Sequence, residues 1–139
     1  MAKLTVLMGA PGSGKSTYAA QLGTVVTTDG QQGKPPGQIL HEAYRQINTL
    51  LSQGKDVVFD TTGANANVRK AALSIAAKHG AQAHACVMDT PLKQCLEAQK
   101  ARTQPVAGDA VRRIHDQVSK QAAGLRAEGF SSVTTRKRK

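Results

Sequence analysis

The sequence predicts an α/β fold, a parallel sheet of about five strands with helices on both faces. Three observations carry that expectation. Short apolar runs alternate with amphipathic stretches from one end of the chain to the other. The first run opens directly into a glycine-rich loop, and two later runs close on acids, Asp29 and Asp60, at the strand ends where an open parallel sheet binds its ligands.

Lys3 to Met8 (KLTVLM) reads as the first strand, followed by the loop and a helix through about Leu22. Val25 to Thr28 is a short second strand. Gly30 to Gly37 (GQQGKPPG) is too rich in turn residues to be regular. The second helix then places Ile39, Leu40, Ala43, Ile47, Leu50 and Leu51 on one stripe, and Gly54 ends it. Asp56 to Asp60 (DVVFD) is strand three. A third helix runs from about Asn67 to His79, with Asn65 or Asn67 as its cap and Gly80 as its stop. Gln82 to Met88 is strand four. Thr90 before Pro91 reads as an N-cap and first-turn proline, starting a helix through about Lys100. Arg102 to Gly108 is a loop, and Asp109 is expected to cap a fifth helix that turns Val111, Ile114, Val118 and Leu125 inward. A last strand, about Ser131 to Thr134, completes the sheet. The length of 139 residues and a hydrophobic content of 40% suit one domain, read as 1–135, with a basic tail over 136–139.

Charge is the one unusual global property. The chain carries 19 Lys and Arg against 9 Asp and Glu, a net +10, and residues 98–139 hold ten basic and three acidic side chains. A polyanionic partner follows naturally, since phosphates and basic side chains attract over long range. Aromatics are few (Tyr18, Tyr44, Phe59 and Phe130), so contact with nucleic acid is expected through the backbone rather than through stacked bases. Cys86 and Cys95 match neither a disulfide framework nor a CxxC motif, and His41, His79, His84 and His115 share no ligand spacing. These features, with no apolar run of membrane-spanning length and no signal peptide, lead to the expectation of a soluble, cytoplasmic protein. Oligomeric state is not legible.

The strongest signal is Gly9-Ala10-Pro11-Gly12-Ser13-Gly14-Lys15-Ser16, which satisfies G-x-x-x-x-G-K-[ST] at every fixed position. Such a loop needs glycines because its backbone amides must wrap phosphate oxygens at distances that side chains would block. Lys15 supplies a point charge to the β and γ phosphates, Ser16 a ligand for Mg²⁺, and the helix that follows directs its positive end at the same oxygens. The motif follows an apolar strand and opens a helix, as the mechanism requires. The expected fold is therefore the P-loop NTPase fold, and the expected cofactors are ATP or another NTP with Mg²⁺. Whether the γ-phosphate then moves to water or to an acceptor depends on Asp29 and Asp60. An acid beside an acceptor hydroxyl acts as general base, and one beside Ser16 holds the metal or its waters.

On GAPGSGKST (Gly9 to Thr17), TTD (Thr27 to Asp29), DTT (Asp60 to Thr62) and CLEAQKARTQPV (Cys95 to Val106), the chain resembles the 5′-OH polynucleotide kinases, relatives of the zeta-toxin-like and other small P-loop kinases. The resemblance spans nearly the whole chain. It implies that Asp29 is the general base, that Asp60 is the metal-side acid, directly or through water, that Thr61 touches acceptor phosphate, and that Thr62 belongs to the substrate site. It further implies that Arg69 binds substrate and that Arg102, on a lid, reaches the transferring phosphate. Two positions depart from the family pattern. Gln32 stands where an arginine usually grips the acceptor, and of the lid motif R-N-x-x-R only Arg102 remains in Ala98-Gln99-Lys100-Ala101-Arg102. Lysine at Lys100 keeps a charge without the bidentate fork.

The resulting expectation is a polynucleotide 5′-hydroxyl kinase that acts on DNA or RNA ends and has no membrane partner. A small-molecule P-loop kinase and a nucleotide-binding NTPase module stay open as alternatives.

Overall fold

The computed structural model describes residues 2–28, 33–61, 65–102 and 106–136, with the backbone alone at Ser16 and Pro36. Five strands, β1 (Lys3–Met8), β2 (Thr24–Thr27), β3 (Val57–Asp60), β4 (Gln82–Met88) and β5 (Ser132–Arg136), pair in the order β2-β3-β1-β4-β5. Every pairing is parallel. The chain leaves β1 toward one edge of the sheet and later crosses to the other. The topological switch, where such sheets bind ligands, therefore lies at the carboxyl end of β1.

Among the described residues the helices are α1 (Lys15–Ala19), α2 (Pro36–Ser52), α3 (Ala66–Lys78), α4 (Leu92–Lys100), α5 (Gly108–Gln121) and α6 (Leu125–Glu128), the last two joined by a 3₁₀ turn. Alternation along the strands sorts the core into two layers. Leu4, Val6, Val57, Phe59, Ala85 and Val87 meet α2, α3, α5 and α6 through Ile47, Leu51, Ala72, Ala76, Val118 and Leu125. Leu7, Val58, Cys86 and Met88 meet α1 through Ala19, flanked by Tyr18 and Leu22. Helices thus cover both faces, as expected, but α1 is one short helix against several on the other side. Strand β3 is buried at all four positions, which explains why it reads as a continuous apolar run. Among the described residues no helix is long and apolar enough to cross a membrane.

Several boundaries differ from the sequence reading, each for a local reason. Helix α1 stops at Ala19 rather than Leu22, because Gly23 must turn against Asp56 and Thr24 must donate its N–H to the Asp56 carbonyl (3.1 Å) to enter the sheet. Pro36 and Gly37 belong to α2, since proline suits a first helical turn. At α3, Asn65 is the cap, its Oδ1 accepting from Asn67 N (2.8 Å). Asp109 does not cap α5, where Ala107 is the N-cap. It lies in the first turn, where its charge still suits the helix dipole. Arg136 belongs to β5 rather than to a tail: it is in register with Met88, and its carbonyl accepts from Asp89 N (2.6 Å). Residues 137–139 lie outside the described set.

Candidate functional site: the phosphate loop and its supports

Strand β1 delivers Gly9 to the switch point, and the loop turns there on a hydrogen bond from Ser13 N to Ala10 O (3.1 Å). Gly12 and Gly14 have φ of +84° and +95°, a region that L side chains rarely adopt. Space excludes side chains as firmly as conformation does. A Cβ on Gly9 would stand 2.9 Å from Met88 Cβ, and one on Gly12 would collide with the carbonyl oxygen of Cys95. The loop is therefore packed from behind by β4 and α4, leaving its other side for a ligand.

Lys15 opens α1 and is 6% exposed, and its Nζ lies 3.5 Å from Asp60 Oδ1 at the end of β3. Two predicted site residues from distant parts of the chain thus meet at the loop. The pairing follows from topology: β3 is the parallel neighbour of β1, with Leu7 in register with Asp60. Thr61, also buried, continues the ladder through its N–H to Leu7 O (3.3 Å). On the far side of β3, Thr28 N donates to Asp60 O (3.5 Å). Thr17 is exposed on α1. Asp29, Gln32 and Thr62 lie outside the described residues, as does the side chain of Ser16.

Arg102 stands exposed just past α4, its backbone N–H bonded to Gln99 O (3.1 Å). Arg69 requires a correction. The resemblance gave it to substrate, but the structure buries it to 2% exposure between α3 and the C-terminal helices. Its Nε and Nη2 donate to the two carboxylate oxygens of Glu128 (2.8 Å each), and Nη1 donates to Gln121 Oε1 (2.7 Å). A guanidinium held as a bidentate fork by a carboxylate has little left for an acceptor phosphate. These bonds tie α3 to α5 and α6.

Sequence reasoning missed two buried contacts beside the loop. Thr90, expected as an N-cap, instead donates Oγ1–H to Ser13 O (2.7 Å) within the core, and Pro91 occupies the cap position. A buried loop carbonyl needs a donor, and Thr90 supplies it. The carbonyl of Thr90 in turn accepts from His115 Nε2 on α5 (2.9 Å), which requires the proton on that nitrogen. The second is Gln99 on α4, 4% exposed, whose Oε1 accepts from Val106 N (2.9 Å). No sequence signal marks either contact, since each bridges segments far apart or a loop without pattern. A cavity of about 170 Å³ opens between α5 and the ends of β4 and β5, lined by Ala10, Asp89, His115 and Ser119 among others. It adjoins the loop at Ala10 but includes neither Lys15 nor Asp60.

The residues present fit phosphate groups. Ser13 Oγ is buried with no hydrogen-bond partner among the described residues, and Ser13 lies between the loop's two positive-φ glycines, with Lys15 next along the chain. Asp60 offers hard carboxylate oxygens at the end of β3, the donor type Mg²⁺ uses alongside phosphates. Among the described residues no cluster of three or more His, Cys, Asp or Glu could hold another metal. Cys86 and Cys95 are both buried, and burial pushes the Cys86 thiol up, with Thr134 and Arg136 opposing that shift in part.

Residues 4–127 match a family model described as an AAA domain, and the chain belongs to that family. Among solved structures it is similar to a chain of the Pnkp1/Rnl/Hen1 RNA repair complex, with a TM-score of 0.75 and 21% identity. That match covers 87% of this chain and 45% of the other, so this chain spans less than half of that relative's length. It is also similar to the Deinococcus radiodurans tunicamycin resistance protein, with a TM-score of 0.59 and 14% identity over 96% of this chain and 86% of that one. A third likeness is to Mycobacterium tuberculosis APS kinase CysC in complex with AMPPNP and APS: TM-score 0.55, 19% identity, 99% and 90% covered. No curated protein matches the sequence. The fold is the α/β P-loop NTPase fold in a kinase-like form.

Proposed function

We propose that the chain is a polynucleotide 5′-hydroxyl kinase, which transfers the γ-phosphate of ATP or another NTP to the 5′-OH of DNA or RNA. The observation that carries phosphoryl transfer is the buried pair of Lys15 and Asp60 at the head of a glycine cradle. In this reading one cation and one carboxylate stand at the phosphates of a bound nucleotide. Likeness to a chain of an RNA repair complex and the net charge of +10 favour a nucleic-acid end as acceptor.

In this reading the 5′ oxygen attacks the γ-phosphorus as the bond to the bridging oxygen breaks, and ADP leaves. The acceptor proton passes to the Asp29 carboxylate. Lys15 and Arg102 stabilise charge on the transferring group, and Thr61, Thr62 and Gln32 face the acceptor. Ser16 and Asp60 would hold Mg²⁺, which when bound neutralises phosphate charge.

The test is transfer of label from γ-labelled ATP to a 5′-OH oligonucleotide, beside a metabolite panel and a reaction without acceptor. Labelled oligonucleotide is expected, and it should vanish in Lys15→Ala and Asp29→Ala; release of free phosphate alone would reject transfer. A small-molecule acceptor has its own support in the likeness to APS kinase, which matches nearly the full length of both chains. Label on a metabolite and not on the oligonucleotide would select that reading.

A further inference from the structure

We propose that Gln99 is a positioning residue that couples the phosphate loop to Arg102. The proposal rests on the kinase reading for its catalytic consequence and on geometry alone for the coupling itself.

Gln99 lies in the last turn of α4, and the chain departs from it and returns to it. Its backbone carbonyl accepts the N–H of Arg102 (3.1 Å), where the chain leaves the helix. Its side-chain Oε1 accepts the N–H of Val106 (2.9 Å), where the chain comes back toward α5. One residue therefore holds both roots of the segment that carries Arg102.

The other end of the same amide faces the phosphate loop. Nε2 lies 3.1 Å from the point where a Cβ on Gly12 would stand, and Ala98 Cβ lies 3.2 Å from it. This nitrogen is buried and has no hydrogen-bond partner among the described residues. Bonding the backbone at Arg102 and Val106 does not require such an arrangement. Accepting from Val106 uses only the oxygen of the amide, and a polar nitrogen buried without a partner is unfavourable. A donor kept against the packed side of Gly12 is accounted for if its acceptor is a loop carbonyl that turns toward it when phosphate binds on the other side of the loop. Occupancy then tightens Gln99, and Gln99 places Arg102. By linkage the coupling runs in both directions.

Two variants separate the functions of the amide. Gln99→Glu keeps an oxygen for Val106 and the same shape but removes the donor. Gln99→Met removes both and keeps the volume. The readout is amide hydrogen exchange at Arg102 and Val106, with and without AMPPNP and Mg²⁺, together with kcat and KM for a 5′-OH oligonucleotide. In the wild type AMPPNP should slow exchange at both amides. Gln99→Glu should retain the nucleotide-free protection of Val106 and lose the slowing, whereas Gln99→Met should lose both. With Arg102 misplaced, kcat should fall by about 10²-fold while the oligonucleotide KM holds. AMPPNP-induced slowing that persists in Gln99→Glu, or an unchanged kcat in both variants, would overturn the proposal. If the wild type labels no oligonucleotide, the acceptor assignment fails, and the exchange data still decide the coupling.

Discussion

Replacing Arg69 by methionine distinguishes a structural tie from a substrate contact. Methionine keeps most of the apolar stem and removes the three charged hydrogen bonds to Glu128 and Gln121. Removing one partner of a fully buried ion pair costs about 3–5 kcal/mol. Glu128 is 30% exposed in its side chain, so its carboxylate regains water and the cost falls to about 2–3 kcal/mol. For a domain of this size each kcal/mol moves Tm by about 3–4 °C, which puts the expected drop at roughly 6–12 °C by calorimetry or circular dichroism. The Glu128→Gln change should cost less, and the double variant should fall short of the sum because both changes break the same bonds. A Tm within about 1 °C of wild type, combined with loss of phosphoryl transfer, would refute the structural assignment and return Arg69 to the acceptor.

Two further outcomes follow from packing and from titration. Gly12→Ala should abolish nucleotide binding in a titration with AMPPNP, because the new methyl meets the Cys95 carbonyl at a φ of +84° and the backbone must move. Cys86 ionises late in the folded protein because its burial disfavours the thiolate. The unfolded chain therefore loses this proton first as pH rises past the ordinary thiol value, and the stability contribution, complete below that value, declines above it. Cys86→Ala should flatten the alkaline limb of a Tm-versus-pH profile, and an unchanged limb would place the loss elsewhere. Tyr44, also raised by burial, adds to the limb in both proteins.

What was legible in the chain was what depends on short range. The cradle follows from eight contiguous residues, because glycine conformations and the helix start are local properties. Strand and helix order follows from periodicity, and the parallel sheet follows from that order. Asp60 was legible as a strand-end acid because the carboxyl edge of a parallel sheet is a predictable place.

The contacts that hold the loop were not legible, because they depend on which distant segments pack together. Thr90 and Pro91 read as a helix start, yet tertiary burial of Ser13 O drew the Thr90 hydroxyl to the loop and left the cap to Pro91. Arg69 resembled a substrate residue by position, but α6, brought across the sheet by the last crossover, set Glu128 against it. Gln99 looked like a changed letter in a motif until α4 lay on Gly12. The sequence alone determined the phosphate-loop motif and its place between the first strand and the first helix. Only the tertiary structure decided which side chains hold that loop in place, since a hydrogen bond between residues 77 apart leaves no periodic trace in the chain.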